Sequence, residues 1–237
     1  PITKPGFIGN KTFNSYPLSE IRDYIDWTPF FQTWMLQGKY PKILEDKVIG
    51  EEAKSLYNDA NKMLDMIIAD KSLSASGIIG IYPANNTNGD DIKISDEAGN
   101  ELATFHFLRQ QGKKGKNLAN MSLADFVAPE SSGKQDYMGC FAVTAGIGIE
   151  ELLAQYEKEH DDYQSIMVKS IADRLAEAFA ELMHAKVRRE IWGYAEDESL
   201  EIDLLISEKY RGIRPAPGYP ACPDHTEKPI LFDLLNV

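Results

Sequence analysis

The chain has 237 residues, with 25 Lys and Arg against 37 Asp and Glu, for a net charge of −12. So acidic a balance excludes general nucleic-acid binding, which needs a basic face to neutralise phosphates, and suits a cationic small molecule or a partner with a basic patch. Hydrophobic residues make up 43% of the chain, enough for a packed core, and two cysteines, Cys140 and Cys222, are too few for a disulfide scaffold. Their natural state is the reduced thiol of a cytoplasmic protein. The longest apolar run, residues 77–82, is far too short to cross a bilayer, so no membrane partner is expected. No charged-then-apolar leader opens the chain, and its first residue, Pro1, reads as the start of an excised module.

In chain order, residues 1–18 carry Pro5, Gly6, Gly9 and Pro17 among aromatics and read as an extended arm packed by Phe7, Phe13 and Tyr16. Ser19 can cap a short helix running to Tyr24. Asp26-Trp27-Thr28-Pro29 then sets a carboxylate at the head of a second short helix, where capping alone would account for Asp26. Over residues 50–70, Ala53, Leu56, Tyr57, Ala60, Met63, Leu64 and Ile67 recur at helical steps. Residues 76–82 are a glycine-bounded apolar run consistent with a central strand, followed by an antiparallel hairpin from residues 91–94 and 101–107 around Glu97-Ala98-Gly99-Asn100. Gly112-Lys113-Lys114-Gly115-Lys116 reads as a solvated basic turn.

Residues 136–147 predict a further strand, with Cys140, Ala142 and Thr144 on one face and Phe141 and Val143 on the other. From Glu150 to Tyr194 the pattern is helical, broken near His160-Asp161-Asp162, with Ile166, Ile171, Leu175, Phe179, Leu182 and Met183 forming the apolar stripe of the second helix. Pro229 opens a last helix whose Ile230, Leu231, Leu234 and Leu235 need cover. The pattern as a whole predicts a single α+β domain, a mainly antiparallel twisted sheet flanked by long helices.

No phosphate loop, dinucleotide fingerprint or nucleophile elbow occurs, and the four histidines have no evident nucleophile partner. Asp173, Glu177 and Glu181 share one helix face and His184 follows, but a lone Glu-x-x-His lacks the second copy that a di-iron bundle requires. Such a face is ordinarily solvated. Cys222-Pro223-Asp224-His225 offers only two zinc-type ligands. These absences point to a binding module whose chemistry is supplied elsewhere.

Residues 211–228, Arg-Gly-Ile-Arg-Pro-Ala-Pro-Gly-Tyr-Pro-Ala-Cys-Pro-Asp-His-Thr-Glu-Lys, are different in kind. Their prolines fix φ and push each preceding residue toward extended geometry, so the segment has little freedom left to lose on binding. Arg214 offers a planar fork suited to a carboxylate, Tyr219 a flat aromatic face, and Gly218 a place where a ligand can approach the backbone.

This segment resembles the signature of the activation domain of cobalamin-dependent methionine synthase. Arg22-Asp23-Tyr24-Ile25-Asp26-Trp27-Thr28-Pro29-Phe30-Phe31 is similar to that family's first block, Asp173-Arg174-Leu175-Ala176-Glu177-Ala178 to its second, and residues 208–219 to its third. The resemblance covers nearly the whole chain. It implies that S-adenosylmethionine is bound by Asp26, Glu177, Arg214, Ala216 and Tyr219, with Arg174, Glu208 and Gly218 as further candidates and no role for His225. Arg214 would take the carboxylate, Asp26 the ammonium, Glu177 and Glu208 the ribose hydroxyls or the sulfonium field, and backbone near Ala216 and Tyr219 the adenine edge.

The same resemblance implies a role in reductive remethylation of cob(II)alamin carried on a partner domain, with a flavodoxin-type reductase as electron donor and zinc confined to another module of the parent enzyme. The chain alone would then not make methionine. Family members continue beyond the position matching Val237 with aromatic residues that close over the ligand, so this chain is expected to bind more weakly, chiefly through a faster off-rate. Two rival readings are a stand-alone reactivation protein for another corrinoid methyltransferase and a non-catalytic docking module for a redox partner.

Overall fold

The computed structural model describes residues 2–115 and 117–237. Among them five strands form one antiparallel sheet: β1 (Gly9–Phe13), β2 (Ser74–Asn86), β3 (Asp91–Ser95), β4 (Glu101–His106) and β5 (Asp136–Ile147). The spine is β2. One of its edges pairs with β5 from Ser74 to Ala84, and the other is shared, β1 taking Gly77 to Ile81 and β3 taking Ala84 to Asn86. Pro83 falls in the gap between these two partners, where its missing N–H disturbs no ladder. The β3–β4 hairpin turns through residues 96–100, with Asp96 Oδ1 accepting from the Asn100 amide at 2.8 Å.

The helices are α1 (Leu18–Arg22), α2 (Thr28–Thr33), α3 (Gly50–Asp70), α4 (Ile149–Glu159), α5 (Asp162–Lys186), α6 (Ile202–Ile206) and α7 (Lys228–Leu235). Both predicted long helices appear where their periodicity puts them, and the break between α4 and α5 falls at His160, which takes a left-handed φ of 57°. Ile79, Ile81, Phe141 and Val143 face one side, where α5 lies over the sheet with Leu175 and Phe179 fully buried. Each such side chain contributes about 1.5–3 kcal/mol through burial. Gly77 makes the close approach possible, since a Cβ there would stand 3.2 Å from the Phe179 ring. On the opposite side Ile78, Tyr82, Ala84, Cys140 and Ala142 meet α7. Among the described residues no helix is long and apolar enough to cross a membrane.

Several expectations need correction. The arm at residues 1–18 contains a true strand, β1, whose polar residues conceal it because it is a sheet edge. Ser19 lies inside α1, whose N-cap position is held by Pro17 without a side-chain cap. The central strand extends well past Tyr82, to Asn86. Ile166 is 46% exposed rather than part of the buried stripe, in the first turns of α5, where Tyr163 is likewise open. The apolar residues of α7 find their cover within the chain: Leu235 is fully buried, and Ile230, Leu231 and Leu234 pack on the cluster around Tyr82 and Phe105. Of the basic turn, Lys113 and Lys114 are exposed, and Lys116 lies outside the described residues.

Leu235 therefore anchors α7 to the sheet. Leu235→Ala should destabilise the fold by about 3 kcal/mol, the usual cost of such a cavity, as read from urea unfolding. A loss below about 1 kcal/mol would mean that the helix contributes little to this core.

Candidate functional site

A polar stripe runs down one side of α5. Arg174, Glu177, Glu181, His184 and Arg188 recur at three- and four-residue steps, so they follow one side of the helix into the turn beyond it. Burial deepens from Glu177 onward: Glu177 is exposed, the Glu181 side chain is 18% exposed, and Arg188 is fully buried. Past Lys186 the helix opens into a π-helical turn, Val187–Ile191, with the Trp192 amide reaching the Val187 carbonyl at 2.8 Å. Such turns are frequent at functional sites.

At the foot of the stripe Arg188 Nε donates to both Glu198 carboxylate oxygens at 3.0 Å, and Nη2 donates to Oε1 at 2.5 Å. The Arg188 guanidinium also lies 4.3 Å from the Tyr210 ring centroid, and the His184 ring meets Tyr210 edge-on at 4.7 Å. A buried ion pair of this kind is held by geometry, and losing one partner typically costs about 3–5 kcal/mol.

The segment covering the stripe is shaped by local rules. After α6, Glu208 adopts a left-handed φ of 55°, with its amide on the Leu205 carbonyl and the Lys209 amide on the Leu204 carbonyl, both at 2.9 Å. This is a Schellman end with glutamate where glycine is usual. It turns Tyr210 inward and leaves Glu208 exposed. Arg211 then donates to the Tyr194 carbonyl at 2.9 Å, and Arg214 Nη2 donates to Glu181 Oε1. Four buried polar atoms here, Glu181 Oε2, His184 Nδ1, Arg188 Nη1 and Arg214 Nε, have no hydrogen-bond partner among the described residues.

Beyond Arg214 the loop closes on itself. The Tyr219 amide donates to the Ala216 carbonyl at 3.1 Å, the Gly218 amide to the Cys222 carbonyl at 2.8 Å and the Cys222 amide to the Tyr219 carbonyl at 2.9 Å. Gly218 has φ +100°, and a Cβ there would stand 2.9 Å from the His225 ring. The tight approach expected at Gly218 is thus already made by His225, which acquires a packing role. Tyr219 leaves 60% of its surface open, and Ala216 is exposed.

Burial sets the electrostatics. It raises the Glu181 carboxyl above its usual range, and the nearby Glu177 and Glu208 add to that effect, while Arg214 and Arg188 hold it down. His184 is pushed from 6.5 down to about 2, first by burial and then by Arg188 and Arg214. Tyr194, also desolvated, is raised to about 12.

The predicted residues are gathered unequally. Glu177, Glu208 and Arg214 meet around Glu181, and Ala216, Gly218 and Tyr219 follow directly on the loop. Arg174 lies one turn above Glu177, its Nη2 on Asp173 Oδ2 at 2.5 Å. Asp26 Oδ1 accepts from the Thr28 amide at 2.9 Å, so it does tie down the start of α2, and no hydrogen bond or ion pair joins it to Arg214 among the described residues. Its neighbours Asp23 and Tyr24 line a groove of about 240 Å3 with Leu182, Lys186 and Arg189 of the α5 region. A wider depression of about 800 Å3, around Phe126 and Pro129, contains none of the candidate residues. Sequence reasoning assigned nothing to Glu181, His184, Arg188, Glu198 or Tyr210. The available signal was the four-residue row of acids running directly into His184 beside buried Leu182 and Met183.

Residues 17–237 match the family described as the activation domain of vitamin B12-dependent methionine synthase. The chain belongs to that family. A solved structure described as the MetH reactivation domain bound to AdoHcy (S-adenosylhomocysteine) shares 52% identity and superposes with a TM-score of 0.93, covering all of this chain and 72% of the other. This activation domain is accordingly a part of a methyltransferase, with the α+β fold of its solved relative.

His184 gives a pH test of the buried network. The unfolded chain takes up this proton near 6.5 and the folded chain only near 2, so the stabilisation is whole above pH 6.5 and drains away as pH falls through that window. The raised Glu181 carboxyl works in the opposite sense, its contribution falling as pH rises, and is common to both proteins. Below about pH 6, wild type should lose up to about 1.4 kcal/mol per pH unit more steeply than His184→Gln in urea unfolding. Parallel slopes would mean that His184 titrates freely in the folded state.

Proposed function

We propose that residues 1–237 form a single unit that binds S-adenosylmethionine and serves reductive reactivation of the parent methionine synthase. The observation that carries this reading is Arg214: it stands at the head of a stiff loop, its side chain is 24% exposed, and its Nε–H is unspent. An arginine held at one corner keeps donors for a ligand carboxylate. The donor set around it fits the rest of such a ligand. Glu177 and Glu208 bring negative charge to the same region, suited to a sulfonium or to ribose hydroxyls, and Tyr219 offers an open ring face. A solved relative described as bound to AdoHcy supports the choice of an S-adenosyl ligand.

Asp26 keeps Oδ2 without a hydrogen-bond partner among the described residues, which leaves it an acceptor for the ligand's ammonium. For the adenine edge the loop leaves the Ala216 amide, which spends no hydrogen bond within it, beside the open Tyr219 ring, with Arg174 and Gly218 as further candidates. When bound, the ligand supplies a methyl group for reduced cobalamin carried on another domain, with a flavodoxin-type protein as the electron donor. The work of this chain is positioning: it holds the amino-acid end so that the sulfonium end has one orientation. It would not complete methionine formation by itself. The two buried thiols, Cys140 and Cys222, fit a reducing cytoplasm.

Calorimetry with S-adenosylmethionine tests the reading. Arg214→Ala should weaken binding by about 2–4 kcal/mol, and Arg214→Lys should recover only part of that loss, because an ammonium cannot reproduce the fork. Equal affinity for wild type and Arg214→Ala would remove the residue from the site.

Asp26→Asn separates capping from recognition. The amide oxygen still accepts from Thr28, so thermal stability should hold while affinity for S-adenosylmethionine falls by about tenfold with the lost charge. The N-cap position itself is Trp27, so a drop in stability with unchanged affinity would leave Asp26 the turn that leads into α2 and nothing more.

A further inference from the structure

Arg214 faces a mechanical problem. A ligand carboxylate is recognised well only if the guanidinium is fixed in place and in plane, yet an arginine tip hangs on a long, freely rotating stem. Pro215 fixes the backbone immediately after Arg214 and restrains Arg214 itself toward extended geometry, but neither effect reaches the tip. What meets the tip is Glu181, with the Tyr210 hydroxyl beside it. Glu181 Oε1 accepts from Arg214 Nη2, its side chain is only 18% exposed, and it comes from α5, a helix packed on the sheet.

The pairing is incomplete. Glu181 Oε2 and Arg214 Nε are both buried and idle, so the two groups meet at one corner rather than fork to fork. A saturated pair would consume the arginine, whereas a corner contact fixes it and leaves donors over. Glu181 also sits in a charged surround. One turn below it His184 packs on Tyr210, and Arg188, held by Glu198, adds positive charge to the Glu181 environment. The groups facing Glu181 are thus Arg214 from the loop, Glu208 and Tyr210 from the segment after α6, and Glu177 and Arg188 from the α5 side.

We infer that Glu181 is a positioning residue for ligand recognition, holding one corner of the Arg214 guanidinium so that the remaining donors face the carboxylate of an S-adenosyl amino acid. This inference rests on the reading of Arg214 given above. It makes Glu181 a determinant of specificity for ligands that carry the amino-acid end, with no contact of its own to the ligand.

The test compares S-adenosylhomocysteine with 5′-methylthioadenosine, which keeps the nucleoside and thioether but lacks the carboxylate and ammonium. Glu181→Gln preserves shape and removes the charge; it should weaken S-adenosylhomocysteine about tenfold and leave 5′-methylthioadenosine within about twofold, since only the carboxylate feels the arginine. In an Arg214→Ala background the same substitution should have no further effect on S-adenosylhomocysteine. Glu181→Asp, which keeps the charge on a shorter stem, should show the same selectivity in smaller degree and serves if the glutamine variant unfolds.

Equal losses for both ligands would mean that Glu181 only supports the fold, and tighter binding of S-adenosylhomocysteine by Glu181→Gln would make it a competitor of the ligand. Either result overturns the inference, as does an unchanged affinity in a chain where Arg214→Ala is strongly impaired. If Arg214→Ala itself binds both ligands normally, the fault lies earlier, in the assignment of Arg214.

Discussion

The site depends on one buried cation. Arg188 has no solvent-exposed surface, and its charge is tolerated because Glu198 takes the guanidinium on several N–H groups while Tyr210 lies against its face. This ties residues 194–214, a stretch with only one short helix, to the π-helical turn at the end of α5. The rest follows in sequence: Tyr210 is turned inward onto His184, Arg211 reaches back to the Tyr194 carbonyl, and Arg214 arrives over Glu181. A hydrophobic anchor could supply similar energy. It could not also add the positive charge that, after burial itself, keeps His184 neutral and holds the Glu181 carboxyl down.

The loop that follows belongs to the other side of the molecule. Cys222 is buried with Leu235, Phe105 and Tyr82, and the Ala221 carbonyl accepts from the Leu123 amide at 2.9 Å. Residues 214–222 thus bridge the two layers on either face of the sheet, with one end fixed by charge and the other by apolar burial. Between these anchors, prolines and the internal bonds of residues 216–222 remove most of the remaining freedom. That is how an exposed Tyr219 can belong to a stiff segment.

Much of this was legible in the sequence. The long period of α3, the α4–α5 break and the two-sided alternation of β5 are carried by local pattern, and structure and sequence agree there. β1 was not legible, because Asn10, Lys11 and Thr12 say nothing of a strand until β2 stands beside them. Glu181 was hidden for a similar reason: in sequence it is the third acid of a solvated row, and it becomes buried only when residues from a separate segment fold across it. Gly218 has the backbone freedom that its place in the sequence suggests, but spacing cannot say that His225 returns to touch it. What pattern misses is consistently non-local.

The non-local character reaches furthest at the end of α7. Asn10 Nδ2 donates to the Leu234 and Leu235 carbonyls at 3.0 and 3.2 Å, and Tyr82 Oη donates to the Leu234 carbonyl at 3.1 Å. The orphan carbonyls of a helix end are therefore capped by a strand made more than two hundred residues earlier. During synthesis from the N-terminus, β1 and β2 can pair, the Tyr82 hydroxyl bonding Asn10 Oδ1, while the Asn10 Nδ2 donor still faces water. The part of the sheet around Gly80 and Tyr82 stays open until α7 has emerged. Completion of this core therefore waits for residues 228–235, however early the strands themselves have paired.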